Sequence, residues 1–310
     1  MPKKITTHKQ SYVGRSKLAR TALPLTVCLL FGPIRWAQGA VDDVFPGDYT
    51  ALPTGLTVVA SYAYAKRLEG PYQGSVKQLD GKLDVPILAV RASHFIKLGD
   101  YTFSPLLILA WSQVHASPSA FSSIIGPNAS GIADARVGGT LWLKDDPAKQ
   151  EYLGVTASLV VPTGSYDASR LLNVGEHRFA GVLSGGWIKP LTPELKAEIS
   201  PEVVFYSNNQ HYLGRNTLHQ DATYAITGTL RYAVSSQAQV FSTLLVNRGG
   251  SVSINAVNQH NAPESTRLSL GMTFSPNINQ QWIVRYGRDV QNDNGFKTAH
   301  ELVLRYLTFF

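Results

Sequence analysis

Charged side chains recur at every second position along several apolar stretches of the sequence. Asp134 and Arg136, for example, alternate with Ala135 and Val137. Charges that face one enclosed aqueous space set its electric field and favour solutes of one sign. They can instead pair with one another and simply fill that space. The candidates for either role are Asp134, Arg136, Lys196, Glu198, Glu202, Arg231, Arg267, Arg285, Asp289, Glu301 and Arg305.

The stretch 132–162 indicates which elements hold these side chains. Residues 134–143 and 152–161 each alternate apolar and polar side chains, and a short turn around Pro147 separates them. Alternation with a period of two places successive side chains on opposite faces of a strand. About 9–11 residues suffice for a tilted strand to cross a bilayer, with lipid outside and water inside. A soluble antiparallel sheet over a hydrophobic core would show the same local pattern.

The lengths of the connections favour the membrane-spanning alternative. Long and short connections alternate along the chain, which is typical of outer-membrane barrels with an even number of strands. Residues 66–82 are expected to form a polar loop, and 291–299 a connection of intermediate length. The pattern predicts about twelve antiparallel strands near residues 56–65, 83–95, 101–114, 134–143, 152–161, 179–189, 195–206, 221–233, 237–247, 266–275, 280–290 and 300–310.

The first 39 residues have the layout of a secretory signal peptide. Basic residues precede an apolar run at 22–32, and Ala37-Gln38-Gly39 supplies small residues for cleavage. The run is too short to span a membrane as a helix, and a short amphipathic helix is the alternative. We therefore expect 1–39 to be removed and 40–310 to form the barrel. Residues 40–54 are expected to be an irregular lead-in, and the sequence leaves open whether it enters the lumen.

Removal of this peptide changes the charge balance of the chain. It contains 7 of the 28 Lys and Arg residues and none of the 21 Asp and Glu residues, which leaves no formal net charge. Nucleic-acid binding then loses its electrostatic basis. The single cysteine, Cys28, is removed too, which excludes disulfides and a thiol nucleophile in the mature chain. The expected partners are outer-membrane lipid, a small-molecule solute and the barrel-assembly machinery.

Aromatic residues mark the ends of the predicted strands. The last strand places Tyr306 and the terminal Phe310 on one face, which is typical of the insertion signal of bacterial outer-membrane proteins. Further aromatic residues are expected in the two interfacial belts of a barrel. They are Tyr62, Tyr64, Trp111, Trp142, Trp187, Trp282 and Phe309.

The remaining motifs do not indicate catalysis. No histidine lies in a recognised nucleophile or zinc motif such as HExxH. Glycine pairs such as Gly185-Gly186 are not followed by a helix, so they suggest close packing rather than a phosphate loop. We expect no enzymatic activity, no cofactor and no metal.

Four segments resemble the family named for the meta-pathway of phenol degradation, whose members are outer-membrane transporters. They are 46–55, which begins Pro46-Gly47-Asp48-Tyr49, then 131–139 with its Asp134-x-x-Val137-Gly138 pattern, 160–166 with the strand exit Pro162-Thr163-Gly164, and Asn173-Val174-Gly175. The resemblance covers essentially the mature chain. It implies an outer-membrane channel associated with the uptake of aromatic compounds.

The sequence thus predicts an all-β fold, a single antiparallel transmembrane β-barrel in a Gram-negative outer membrane. The expected function is passive passage of small hydrophobic or aromatic molecules. The alternative is a closed structural or adhesive barrel whose lumen passes nothing and whose long loops bind partners.

Overall fold

Twelve long antiparallel strands form one closed sheet in the computed structural model, which describes residues 44–310. Each barrel strand pairs with the next one along the chain, and the first pairs with the last. Closure leaves no exposed strand edge, so every backbone group of the wall can be paired within lipid. The predicted all-β, single-barrel fold is confirmed. The expected signal peptide lies outside the described residues.

The barrel strands are β1, β2, β4, β6–β9, β12, β13 and β16–β18, and β10, β11, β14 and β15 form a separate four-stranded sheet. No helix within residues 44–310 is long and apolar enough to cross a membrane. In chain order the elements are β1 (Thr57–Gln73), β2 (Val76–His94), β3 (Ile96–Leu98), β4 (Tyr101–Ser117), α1 (Ser119–Ile125), β5 (Ala129–Ile132), β6 (Ala135–Asp146), β7 (Glu151–Val161), β8 (Ala180–Pro190), β9 (Leu195–Tyr206), β10 (Asn209–Tyr212), β11 (Asn216–Gln220), β12 (Thr223–Ala233), β13 (Ala238–Gly249), β14 (Val252–Ile254), β15 (Val257–Asn258), β16 (Glu264–Asn277), β17 (Gln280–Asp293) and β18 (Gly295–Phe309).

The two ends of the barrel differ in their connections. Short turns such as 147–150 and 191–194 join the strands at one end, which we call the short-turn end. The opposite, long-loop end carries longer connections such as 118–134 and 207–222, which include α1 and part of the small sheet. The predicted sorting of connections by length therefore holds for most of the chain.

Two predicted connections at the long-loop end are wrong. Residues 66–82 are not a loop, because β1 continues to Gln73 and β2 begins at Val76. Asn294 alone separates β17 from β18 and adopts a positive φ of 65°. The polar continuation of β1 and β2 is paired by the backbone ladder, and the ion pair Arg67–Asp84 joins the two strands at 2.7 Å. This polar part of the hairpin has no apolar alternation. The alternating pattern in the sequence therefore ends before the strands end.

The outer surface carries the apolar half of the alternation. About half or more of the residue surface is exposed in Leu88, Leu183, Leu230 and Leu270, as expected for side chains that face lipid. This face also carries Trp111, Trp187, Trp282 and Tyr306. The ring centroids of Trp282 and Tyr306 are 4.4 Å apart. The last residue, Phe310, is exposed and exchanges backbone hydrogen bonds with Thr57.

Four aromatic residues predicted for the interfacial belts face the lumen instead. Tyr62, Tyr64 and Trp142 are buried inside the barrel, and Phe309 lines an internal cavity. In β1 the bulky residues point inward, while the small residues Ser61 and Ala63 point outward. The apolar face of β1 is buried because a segment of the chain fills this side of the lumen.

Candidate functional site: the lumen

Residues 44–52 lie inside the barrel, and we call them the inserted segment. They turn at Gly47, whose φ is 83°, and the N–H of Asp48 donates to the carbonyl of Phe45 at 3.0 Å. A residue with a Cβ is strained at such a φ, which explains the glycine. Phe45 is 1% exposed and belongs to the apolar core inside the barrel, although it precedes the first strand.

Asp48 fixes the inserted segment to two strands of the wall. Its carboxylate accepts two hydrogen bonds from Arg91 of β2, both at 3.2 Å, and pairs with Arg305 of β18 at 2.7 Å. The ring of Phe45 completes this contact, because the guanidinium carbons of Arg285 and Arg305 lie 4.4 and 5.0 Å from its centroid. Burial opposes the ionisation of Asp48, but Arg305 and Arg91 outweigh it and lower the pKa of this carboxyl from 3.8 to about 2.

A second set of contacts fixes the segment to the opposite wall. The N–H of Gly47 donates to Glu198 at 2.9 Å, and Tyr49 donates from its hydroxyl to Ser184 at 3.0 Å. Trp142 donates from its indole to the carbonyl of Tyr49 at 2.8 Å. The inward-facing Trp142 is therefore part of the docking surface of the segment.

Two glycines make room for the ring of Tyr49. Gly154 of β7 and Gly186 of β8 are directly paired across the two strands. A Cβ on Gly186 would overlap the Tyr49 ring, and one on Gly154 would lie 2.9 Å from it. The close packing expected for the Gly185-Gly186 pair is therefore packing against the inserted segment.

A separate charge cluster lies on the wall formed by β1, β16, β17 and β18. Glu301 is fully buried and binds Lys66 at 2.8 Å, Arg285 at 2.9 Å and Arg267 at 3.0 Å. Arg267 also binds Asp289 at 2.9 Å. We call these five residues the Glu301 cluster. Opposite charges at short range in a site of low polarity strengthen one another, so the cluster crosslinks four strands.

Asp134 has a structural contact at the long-loop end. Its carboxylate accepts the backbone N–H groups of Gly164 at 2.8 Å and Glu176 at 2.7 Å, which ties the connection 162–179 to the start of β6. Burial raises the pKa of Asp134 above its ordinary value, while the two N–H donors oppose that shift. Arg178 binds Glu176 and stacks 4.5 Å from the centroid of Tyr206 on the same side.

A cavity of about 380 Å³ lies beside the inserted segment toward the short-turn end. Its apolar wall includes Phe95, Trp142 and Tyr152. Its charged side chains are Asp48, Arg91, Lys196, Arg231 and Arg305, so the lining carries more positive than negative charge. A volume of this size falls at the lower end of the range of about 300–1,000 Å³ that is typical of small-molecule sites.

Ten of the eleven charged residues singled out from the sequence lie on the inner side of the wall, and Asp134 lies at its long-loop end, where it binds the connection 162–179. The structure brings Arg267, Arg285, Asp289 and Glu301 together in one cluster. It brings Lys196, Arg231 and Arg305 to the cavity and pairs Glu198 with Arg231 at 2.7 Å. Arg136 is buried and donates to Ser158 at 2.7 Å, and Glu202 is half-buried on β9. Their roles in selectivity remain predictions.

Sequence reasoning missed Lys66, Arg91 and Asp48 as lumen residues. Lys66 shares the parity of Tyr62 and Tyr64, so a first strand extended to this residue would have put a charge on the face predicted for lipid, which indicates that this face points inward. In the second strand Asp84 and Arg91 have opposite parity, so alternation alone does not assign Arg91 to a face. Nothing local to Asp48 shows its two distant partners. Within residues 44–310, no group of three or more His, Cys, Asp or Glu side chains is arranged to hold a metal ion.

Comparison with solved structures places this architecture among outer-membrane proteins. The COG4313 outer membrane channel from Pseudomonas putida F1 is similar, with 28% sequence identity, a TM-score of 0.81, and coverage of 86% of this chain and 100% of that chain. The transport unit of the autotransporter AIDA-I from Escherichia coli shares the barrel fold alone, at 8% identity and a TM-score of 0.52, with coverage of 94% and 98%. A comparison with curated proteins finds no match.

The fold and the lumen therefore define an outer-membrane β-barrel of the channel class. The family model described as MetA-pathway of phenol degradation matches residues 65–305. The chain belongs to this family, and the resemblance seen in the sequence is confirmed.

Proposed function

We propose that the protein is a passive channel for small aromatic compounds across the outer membrane. The observation that carries this proposal is the cavity of about 380 Å³ inside the barrel, where aromatic side chains and charged groups face the same space. Sites for small molecules typically combine an apolar wall with a few polar groups that orient the ligand. The name of the family, which refers to phenol degradation, agrees with an aromatic solute.

The inserted segment sets how narrow the path is. It occupies the centre of the lumen, and its contacts reach β2 and β18 on one side and β8 and β9 on the other. A solute must therefore pass between this segment and the wall, or displace it. A path confined to the space between this segment and the wall favours small, flat molecules over hydrated sugars of similar mass.

We assign no catalytic role to the chain. We further propose that residues 1–39 are a cleaved signal peptide and that Tyr306 and Phe310 belong to the signal read by the barrel-assembly machinery. Support for the second assignment is the position of both residues on the last strand, with Tyr306 on the outer face and Phe310 exposed.

One observation favours the alternative function, a closed barrel that binds partners through its loops. The small sheet of β10, β11, β14 and β15 gives the long-loop end an ordered surface with its own apolar core, formed by Tyr212, Leu218, Val252 and Ile254. An ordered outer surface is suited to binding a partner. It is equally compatible with a rim around a channel entrance.

Uptake by cells separates the two functions. The gene is deleted, and the initial uptake of labelled phenol at low concentration is compared with that of a strain that carries the gene again. A channel predicts that uptake falls on deletion and returns with the gene. Unchanged uptake, together with lost attachment to a partner surface, would support the alternative and contradict the channel.

A further inference from the structure

Two cations face each other on the inner wall of the barrel. Lys196 of β9 and Arg231 of β12 are directly paired residues on neighbouring strands, and both line the cavity at the short-turn end. Like charges directly opposite one another destabilise a sheet. A placement of this kind calls for a negative charge close to both residues.

The nearby carboxylate of Glu198 lies close enough to attract both cations, but it forms a direct ion pair with Arg231 alone. Glu198 binds Arg231 at 2.7 Å and also accepts the N–H of Gly47 at 2.9 Å. Within residues 44–310, no carboxylate oxygen lies within ion-pair distance of the Lys196 ammonium group, although this residue is half-buried. Partial burial of a charge without a direct ion-pair partner is unfavourable, so an anion at this point would be stabilised.

The rest of the cavity limits what that anion can be. Arg91 and Arg305 share the single carboxylate of Asp48, so four cations of the lining face one lining carboxylate. The apolar side of the same cavity is formed by aromatic residues that include Trp142. An inorganic ion would leave this apolar surface without a contact, whereas an aromatic ring would cover it.

We propose that the cavity binds small aromatic carboxylates. Lys196 and Arg231 hold the carboxylate group through charge-assisted hydrogen bonds, and the ring packs against the aromatic side of the cavity. This inference rests on the proposed function and sharpens it, because it makes anionic aromatic acids the preferred solutes over neutral phenols.

Equilibrium dialysis of labelled benzoate against the full-length protein in detergent at pH 7.5 tests this site. Lys196→Gln should weaken benzoate binding by about tenfold or more, because the ligand loses one charged hydrogen bond. Lys196→Arg should retain binding. Lys189→Gln is the matched control, since Lys189 lies on the outer face at the same end of the barrel, 5.4 Å from the Trp187 ring, and should leave binding unchanged.

Competition experiments identify which chemical group of the ligand the cavity recognises. To displace the labelled benzoate, unlabelled benzyl alcohol and inorganic phosphate should each require a concentration at least about tenfold higher than unlabelled benzoate does. Equal benzoate binding by wild type and Lys196→Gln, or competition by phosphate as strong as that by benzoate, would overturn the proposal. Flux of neutral phenol is measured in parallel. If phenol passes but benzoate does not bind, only this inference is contradicted. If neither aromatic compound passes, the proposed channel function is contradicted as well.

Discussion

The Glu301 cluster and the Lys196–Arg231 pair both lie on the inner wall, yet they differ in how their charges are arranged. In the cluster, opposite charges are paired in register, with Lys66 opposite Glu301 and Arg267 opposite Asp289. In the second site, like charges are paired in register, and an open cavity adjoins them. The comparison separates charges that hold the wall together from charges that are left for a solute.

The largest effect should come from the Glu301 cluster. Glu301→Gln leaves Lys66, Arg267 and Arg285 without their shared buried carboxylate, and breaking a buried ionic network of this kind costs about 3–5 kcal/mol. We expect a clear fall in the free energy of unfolding, measured by tryptophan fluorescence in guanidinium and detergent. Glu194→Gln, in an exposed short turn, should change it by less than about 0.5 kcal/mol. Equal stability of both variants would contradict a structural role for the cluster.

The next effect tests whether the inserted segment narrows the lumen. In Gly186→Val the new side chain occupies the space of the Tyr49 ring, so the segment must leave its docking surface. Single-channel conductance should increase severalfold, since the lumen widens. Gly181→Val on the same strand is the control, because a Cβ there meets no atom within 4 Å. An unchanged conductance in Gly186→Val would show that the segment does not limit passage.

Acid should release the inserted segment through Asp48. Because its folded pKa of about 2 lies below the ordinary 3.8, the stabilising contribution is fully present above about pH 4 and is lost as the pH falls toward 2. We expect constant conductance from pH 7 to about pH 4 and a rise below it. Asp48→Asn should show the raised conductance at pH 7 and lack this acid transition. A transition of the same size in Asp48→Asn would assign it to another group.

The smallest effect is expected from Arg136, which is buried away from the cavity. Arg136→Ala removes one cation from the inner wall and its 2.7 Å hydrogen bond to Ser158. A modest shift of ion preference toward cations should follow, measured as the reversal potential in a salt gradient. If conductance and reversal potential both equal those of wild type, Arg136 has no role in selectivity.

The barrel was predictable because its strands repeat a simple pattern. In β9, β12, β16 and β17 one face is apolar and the other is polar. The structure places the apolar face outward and the polar face inward, as the alternation predicts. Where β1 and β2 extend as a polar hairpin, lipid no longer imposes the pattern, and the prediction failed. In β1 it also failed for Tyr62 and Tyr64, because the inserted segment gives the inner face an apolar partner.

The site was less predictable than the wall. Alternation shows that Lys196 and Arg231 point inward, but only the register of β9 and β12 shows that they face each other. The partners of Asp48 lie on β2 and β18, which are far from it in the sequence. Contacts of this kind depend on closure of the barrel, which local patterns do not encode.

Flux through purified protein in lipopolysaccharide-containing vesicles tests the central claim most directly. Phenol and benzoate are compared with a pentose sugar of similar mass at pH 7.5, and the rate of protein-free vesicles is subtracted. The account predicts aromatic flux well above sugar flux, with benzoate favoured over phenol. No protein-dependent flux of any of the three solutes would contradict the channel, and sugar flux equal to aromatic flux would contradict its preference for aromatic compounds.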